Sequence, residues 1–182
     1  MGERKSSKND NWAKELEKEF LAFHDEYADA LFRHCLIRVR DRDAAKDIVQ
    51  ETFTRAWLYV SKGKKVSYMR AFLYRIANNL IIDGSRKKKS SSLDALMEDD
   101  GFEPADESLT DPADIPAARE AMLLVRSLDE IYRTVITMRY VDEMSPKEIA
   151  HVLGISENVV SVRIHRGIER LRVIVHRKPG DT

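Results

Sequence analysis

The sequence predicts an all-α fold: two small helical domains joined by a long acidic flexible linker, the second carrying a helix-turn-helix. Three observations predict it. Apolar residues recur at three- and four-residue spacing, and no stretch shows the alternation of a half-buried strand. Residues 90–118 hold nine acids, no Lys or Arg, and three of the five prolines, a composition that opposes both helix and compaction. Residues 145–166 read as two short helices about a glycine.

Each element follows in order. Residues 1–11 are polar and read as a disordered tail. Trp12, Leu16, Phe20, Phe23 and Tyr27 mark a first helix, and residues 28–39 a second. Asp41 or Asp43 is a suitable N-cap for a third helix reaching about Val60, with Val49, Phe53, Ala56 and Val60 as its inner stripe. Ser61, Gly63 and Lys65 lie in a loop, and a fourth helix covers about residues 67–85, with Phe72, Ile76 and Leu80 inward. The 29 residues of 90–118 extend at most about 95 Å at about 3.3 Å each. Leu123, Leu124, Leu128, Ile131, Val135, Ile136 and Met138 then supply a broad apolar face. The expected organisation is a tail at 1–11, a domain at 12–89, a linker at 90–118 and a second domain at 119–182.

The 182 residues carry no net charge, but the charge is unevenly spread. Residues 62–89 hold nine Lys and Arg against Asp83, the linker holds its nine acids, and residues 159–178 hold six Lys and Arg against Glu169. Two basic patches flanking an acidic strap suggest two contacts with a polyanion. No stretch approaches 18 apolar residues, and the N-terminus lacks the apolar core of a signal peptide, so a soluble cytoplasmic protein without membrane insertion is expected. Cys35, the single cysteine, sits among Leu31, Phe32, Leu36 and Ile37; it reads as a small buried hydrophobe, with a redox role as the alternative.

The most specific signal is at the C-terminal end. Ser145 is an N-cap, Pro146 suits the first helical position, and Glu148 closes a capping box. Ile149, Ala150 and Leu153 face inward, and Gly154 supplies the left-handed residue that ends the helix. Ile155 plugs the gap and Ser156 caps the next helix, whose buried spine is Val160 and Ile164, with Leu171 beyond. Ser161, His165 and Arg166 project outward, where a recognition helix meets base edges.

Residues 128–145, running into this motif, resemble the promoter-binding C-terminal domain of extracytoplasmic-function (ECF) sigma factors of the sigma-70 family. Residues 47–57 are similar to the family's polymerase-binding helix, and residues 72–86 to the helix that opens and reads the −10 element. The resemblance implies docking of Asp47, Gln50, Glu51 and Thr54 on the clamp helices of the large subunit of RNA polymerase core, with a further contact to its flap. It implies −10 DNA binding by Lys62, Lys64, Lys65, Tyr68, Arg75, Asn78, Asn79, Arg86, Lys87 and Lys88. Asn suits a base edge, Arg and Lys suit phosphates, and aromatic rings hold unstacked bases. It implies −35 DNA binding by Lys147, Asn158, Ser161, Val162, His165 and Arg166. Ser161 and Val162 stand where relatives often carry a basic residue and a small hydroxyl residue, and Phe72 where they often carry Trp. Promoter DNA and an anti-sigma factor are the other implied partners, and the linker would thread into the polymerase.

Two other readings are less consistent with the residues. A free-standing helix-turn-helix regulator leaves residues 47–57 without a role. A nucleic-acid enzyme finds no support, because His24, His34, His151, His165 and His176 form no metal-ligand cluster and no Gly-rich phosphate loop is present. Neither catalytic residues, a metal nor a cofactor is expected.

Overall fold

The computed structural model describes residues 3–91 and 116–176, with side chains over 12–86 and 120–176. Most of the linker at 90–118 therefore lies outside the described residues. Helix α1 spans Glu3–Val39, α2 Arg42–Val60, α3 Met69–Ser91, α4 Pro116–Arg126 and α5 Glu130–Ile136. A π-helical turn over Thr137–Val141 leads to α6, Pro146–Leu153, and α7, Glu157–His176.

The N-terminal half departs from expectation in three places. One unbroken α1 replaces the two helices expected to meet at Ala28, and it begins at Glu3, inside the segment read as a tail. No Pro or Gly stands between Trp12 and Val39 to interrupt the hydrogen-bond ladder. At α3 the buried apolar side chains are Ala71, Leu73, Tyr74, Ala77 and Ile81, while Phe72, Ile76 and Leu80 are only half-buried. The inward face is thus turned by about one residue, some 100° around the helix. That turn carries Asn78 into the interior, against its expected place beside Arg75 and Asn79.

Other details hold. Asp41 is the N-cap of α2, its carboxylate accepting from the Ala44 N–H at 2.9 Å. Ala45, Thr52, Phe53, Ala56 and Val60 are buried, with Val49 at the margin. The π-turn closes with the Asp142 N–H donating to the Thr137 carbonyl at 3.0 Å, and the Met144 N–H returns to the Met138 carbonyl at 2.9 Å.

The two helical groups pack on one another. Leu31, Phe53, Leu73, Tyr74 and Ala77 of α1–α3 belong to the same buried cluster as Val135, Met138, Met144, Ile149 and Val160 of the C-terminal half. A satellite cluster of Leu128, Tyr132 and Ile136 packs on Ile164, Ile168 and Leu171 of α7. Gly167 lets α7 approach α5 there: a Cβ at this position would stand 2.9 Å from Ile136 Cγ1.

Candidate nucleic-acid interface

The helix-turn-helix forms as the local chemistry dictates. The Ser145 hydroxyl accepts from the Glu148 N–H at 3.3 Å, and the Glu148 carboxylate accepts from the Ser145 N–H at 2.8 Å and its hydroxyl at 2.7 Å. These donors hold the Glu148 carboxyl below the usual range. Pro146 occupies the first turn, and Gly154 sits at φ 66°, ψ 32°. The Ser156 hydroxyl caps α7 at the Val159 N–H, 3.3 Å away.

On α7, Asn158, Ser161, Val162, His165 and Arg166 are all exposed. Their spacing of three, one, three and one residues puts them on one continuous stripe. Val160 and Gly167 are buried on the opposite side. Within the stripe, Ser161 Oγ donates to the Glu157 carbonyl at 3.0 Å, and His165 Nε2 lies 3.4 Å from Glu169 Oε1. Lys147 is exposed at the start of α6.

The loop and α3 present a second basic surface. Lys62, Lys64, Lys65, Arg75, Asn79 and Arg86 are exposed, as is Tyr68 at 74%. The Lys64 ammonium lies 4.9 Å from the Tyr59 ring centre. Lys87 and Lys88 belong to α3, but their side chains lie outside the described residues. Asn78 is the correction: it is buried, and its Oδ1 accepts from Arg38 Nη1 at 3.2 Å. Lys64, Lys65, Tyr68 and Arg75 share a cleft of about 1400 Å3 with Lys147 and His151 of the C-terminal half, while the α7 stripe lies outside it.

A third surface is the polar face of α2. Asp47, Gln50 and Thr54 are exposed and Glu51 half-exposed. Glu51 accepts from Arg55 Nε at 2.6 Å, and the Thr54 hydroxyl donates to the Gln50 carbonyl at 2.8 Å.

Sequence reasoning missed a buried polar network. His34 Nδ1 lies 2.7 Å from Asp142 Oδ2, Tyr74 Oη donates to Asp142 Oδ1 at 3.1 Å, and Arg70 Nη2 donates to the Asp142 carbonyl. Arg38 Nε donates to Glu130 at 3.0 Å. The periodicity of α1 already set His34 and Arg38 beside Leu31 and Cys35, which was the available signal. Cys35 is fully buried, as a small hydrophobe would be, and desolvation pushes its thiol up to about 12. Among the described residues, no group of His, Cys, Asp and Glu could hold a metal ion, and no helix is long and apolar enough to cross a membrane.

A capped helix-turn-helix with a solvent-facing recognition stripe, joined to a second basic helical unit, defines a DNA-binding protein of the transcription class. Comparison with known proteins gives the family. The model described as sigma-70 region 2 matches residues 23–91, and that of sigma-70, region 4, residues 118–171. SigW of Bacillus subtilis (strain 168), an ECF RNA polymerase sigma factor, is 36% identical over 157 residues, covering 81% of this chain and 84% of that protein. SigL of Mycobacterium tuberculosis, also an ECF RNA polymerase sigma factor, is 33% identical over 156 residues, covering 84% and 86%. The sigma factor RpoE, solved with the anti-sigma factor NepR from Bartonella quintana, superposes with a TM-score of 0.70 at 21% identity, over 88% of this chain and 99% of that one. CnrH, solved with the cytosolic domain of CnrY, gives 0.65 at 26% identity, over 87% and 88%. The chain belongs to the ECF sigma factors of the sigma-70 family: it is an RNA polymerase sigma factor acting in promoter recognition.

Proposed function

We propose that the three exposed surfaces divide the work of this sigma factor. The α2 face, Asp47, Gln50, Glu51 and Thr54, docks on RNA polymerase core. The unit over residues 12–89 melts and reads the −10 element, with Tyr68 and the Lys62, Lys64 and Lys65 loop capturing unpaired bases. Arg75, Asn79, Arg86, Lys87 and Lys88 hold the strand and its phosphates. The unit over residues 119–182 reads the −35 element with the α7 stripe, while Lys147 reaches phosphate and the linker at 90–118 spans the two. The protein works in the bacterial cytoplasm and performs no covalent chemistry, since base-pair opening is driven by capture of the separated strand. An anti-sigma factor is a further partner; RpoE, whose fold this chain shares, was solved in complex with the anti-sigma factor NepR.

The observation that carries this reading is the α2 face. It is polar and largely exposed, and among the described residues Asp47 makes no side-chain hydrogen bond or ion pair. Replacing both Asp47 and Glu51 by Lys abolishes capture of core polymerase while the helical circular-dichroism signal stays intact. Capture at the native level overturns the assignment.

A further inference from the structure

An aromatic pair stands where the basic loop meets α2 and α3. Tyr59, near the end of α2, and Phe72 of α3 have ring centres 4.9 Å apart, with the rings tilted by 47°. Phe72 packs against the shared core, whereas Tyr59 is absent from it and is 36% exposed. The Gly63 N–H donates to the Val60 carbonyl at 2.9 Å, with Gly63 at a left-handed φ of 74°. That turn folds the loop back and brings the Lys64 ammonium over the Tyr59 ring, 4.9 Å from its centre. Neither Tyr59 nor Phe72 lines the cleft shared with the C-terminal half.

Resting on the −10 role proposed above, we infer that Tyr59 holds the melted strand: one unpaired base stacks on its ring and displaces Lys64, whose ammonium then meets that strand's phosphates. The surroundings suit a single strand. Phe72, Arg75 and Asn79 follow one another at spacings of three and four, which is one face of α3. Arg75 and Asn79 are exposed, so the aromatic pair stands at the head of the stripe assigned to the strand. An exposed ring beside a lysine loop and a basic helix face is the combination that holds unstacked bases and their backbone together.

The exchange is favourable in both halves. A lysine over an exposed ring is a weak contact, and a base stacked on the same ring is a stronger one. The displaced ammonium gains a phosphate and releases a counterion from it. In a duplex each base is already stacked on its neighbours, so the ring takes a base only after the pair has opened. Every base has a π-face, so the hold is indifferent to base identity. Tyr59 therefore stabilises the open strand without choosing the −10 sequence. A ring that only packed on Phe72 would support the contact of α2 with α3 and leave the DNA unaffected.

The test uses the full chain assembled with core polymerase and a forked promoter whose −10 strand is unpaired. 2-Aminopurine, a fluorescent base quenched by stacking, is placed at each unpaired position in turn. The native chain should quench it at one position. Tyr59→Phe, which keeps the ring, should keep that quenching. Tyr59→Ala should lose it there and weaken fork binding about ten-fold, while polymerase capture and binding of the −35 duplex stay at the native level. Lys64→Gln should keep the quenching and lower the salt slope of fork binding by about one unit. No quenched position with the native chain, quenching that survives Tyr59→Ala, an equal loss in Tyr59→Phe, or loss of −35 duplex binding alongside overturns the assignment. Failure of the native assembly to bind the fork at all would instead strike the −10 role on which it rests.

Discussion

His34 and Asp142 are separated by 108 residues, yet His34 Nδ1 and Asp142 Oδ2 lie 2.7 Å apart, with side chains 0% and 1% exposed. Tyr74 and Arg70 complete the surroundings of Asp142, so a single carboxylate meets both helices α1 and α3. The π-turn before it is what delivers it. The extra residue in that turn swings Asp142 inward while Tyr140 and Val141 stay exposed, and Glu143 then adopts a left-handed φ of 54°.

Gly154 is required for its backbone. A Cβ there meets no atom within 4 Å, so Gly154→Ala carries only the strain of a left-handed φ, about 1 kcal/mol. Thermal unfolding should show that loss, and −35 duplex binding should weaken as the angle between α6 and α7 relaxes. An unchanged midpoint would contradict the turn geometry.

Gly167 responds to a different force. Ala would gain about 1 kcal/mol of helix propensity, but its Cβ would stand 2.9 Å and 3.2 Å from two atoms of buried Ile136. Overpacking of this kind costs about 1–3 kcal/mol. We expect Gly167→Ala to be net destabilising, and the double variant with Ile136→Val to recover part of the loss. Calorimetry of the four proteins of that cycle measures the coupling directly.

These two glycines also show how far the sequence was legible. Gly154 was readable because it falls between two capped helices, a local pattern that closes within the twelve residues from Ser145 to Ser156. Gly167 was not, because its reason is the surface of α5, a partner that periodicity cannot name. The same distinction separates the two surfaces proposed to bind DNA. Ser145, Glu148 and the α7 stripe follow from local caps and spacing, so the structure places them where the residues predict. Asn78 depends on which side of α3 faces α1 and the C-terminal half, and its Arg38 partner lies 40 positions away. A helix with apolar residues at ten of fourteen positions, as α3 has between Met69 and Ile82, does not declare one inward face.

The capping box gives α6 a pH dependence. The Ser145 donors keep the Glu148 carboxyl below its ordinary value, so its contribution is present above the unfolded value of about 4.3 and is lost as pH falls through the lower folded value. Ser145→Ala should cost about 1 kcal/mol near neutrality and reduce the steepness of acid unfolding below about pH 4.3. Urea titrations from neutral to acid pH measure both. An identical acid slope in the two proteins would show that the Ser145 hydroxyl does not hold the carboxylate.

Promoter reading separates Arg166 from Lys147. Both are exposed, but they sit on different ground. Arg166 lies on the α7 stripe beside His165, and its guanidinium can grip a guanine through two parallel hydrogen bonds. Val162, on the same stripe, has no hydrogen-bonding group and suits a thymine methyl. Lys147 stands at the start of α6, the helix that crosses the backbone in this motif, where a single ammonium meets phosphate. Arg166→Ala should therefore cost about 1–3 kcal/mol at the preferred −35 sequence and relax preference at one position. Lys147→Ala should weaken all −35 variants alike and lower the salt slope by about one unit. Binding across −35 variants at several salt concentrations distinguishes the two. If Arg166→Ala weakens every variant equally, with a change in salt slope like that of Lys147→Ala, Arg166 is a phosphate contact and the base-reading part of the stripe lies nearer Asn158, Ser161 and Val162.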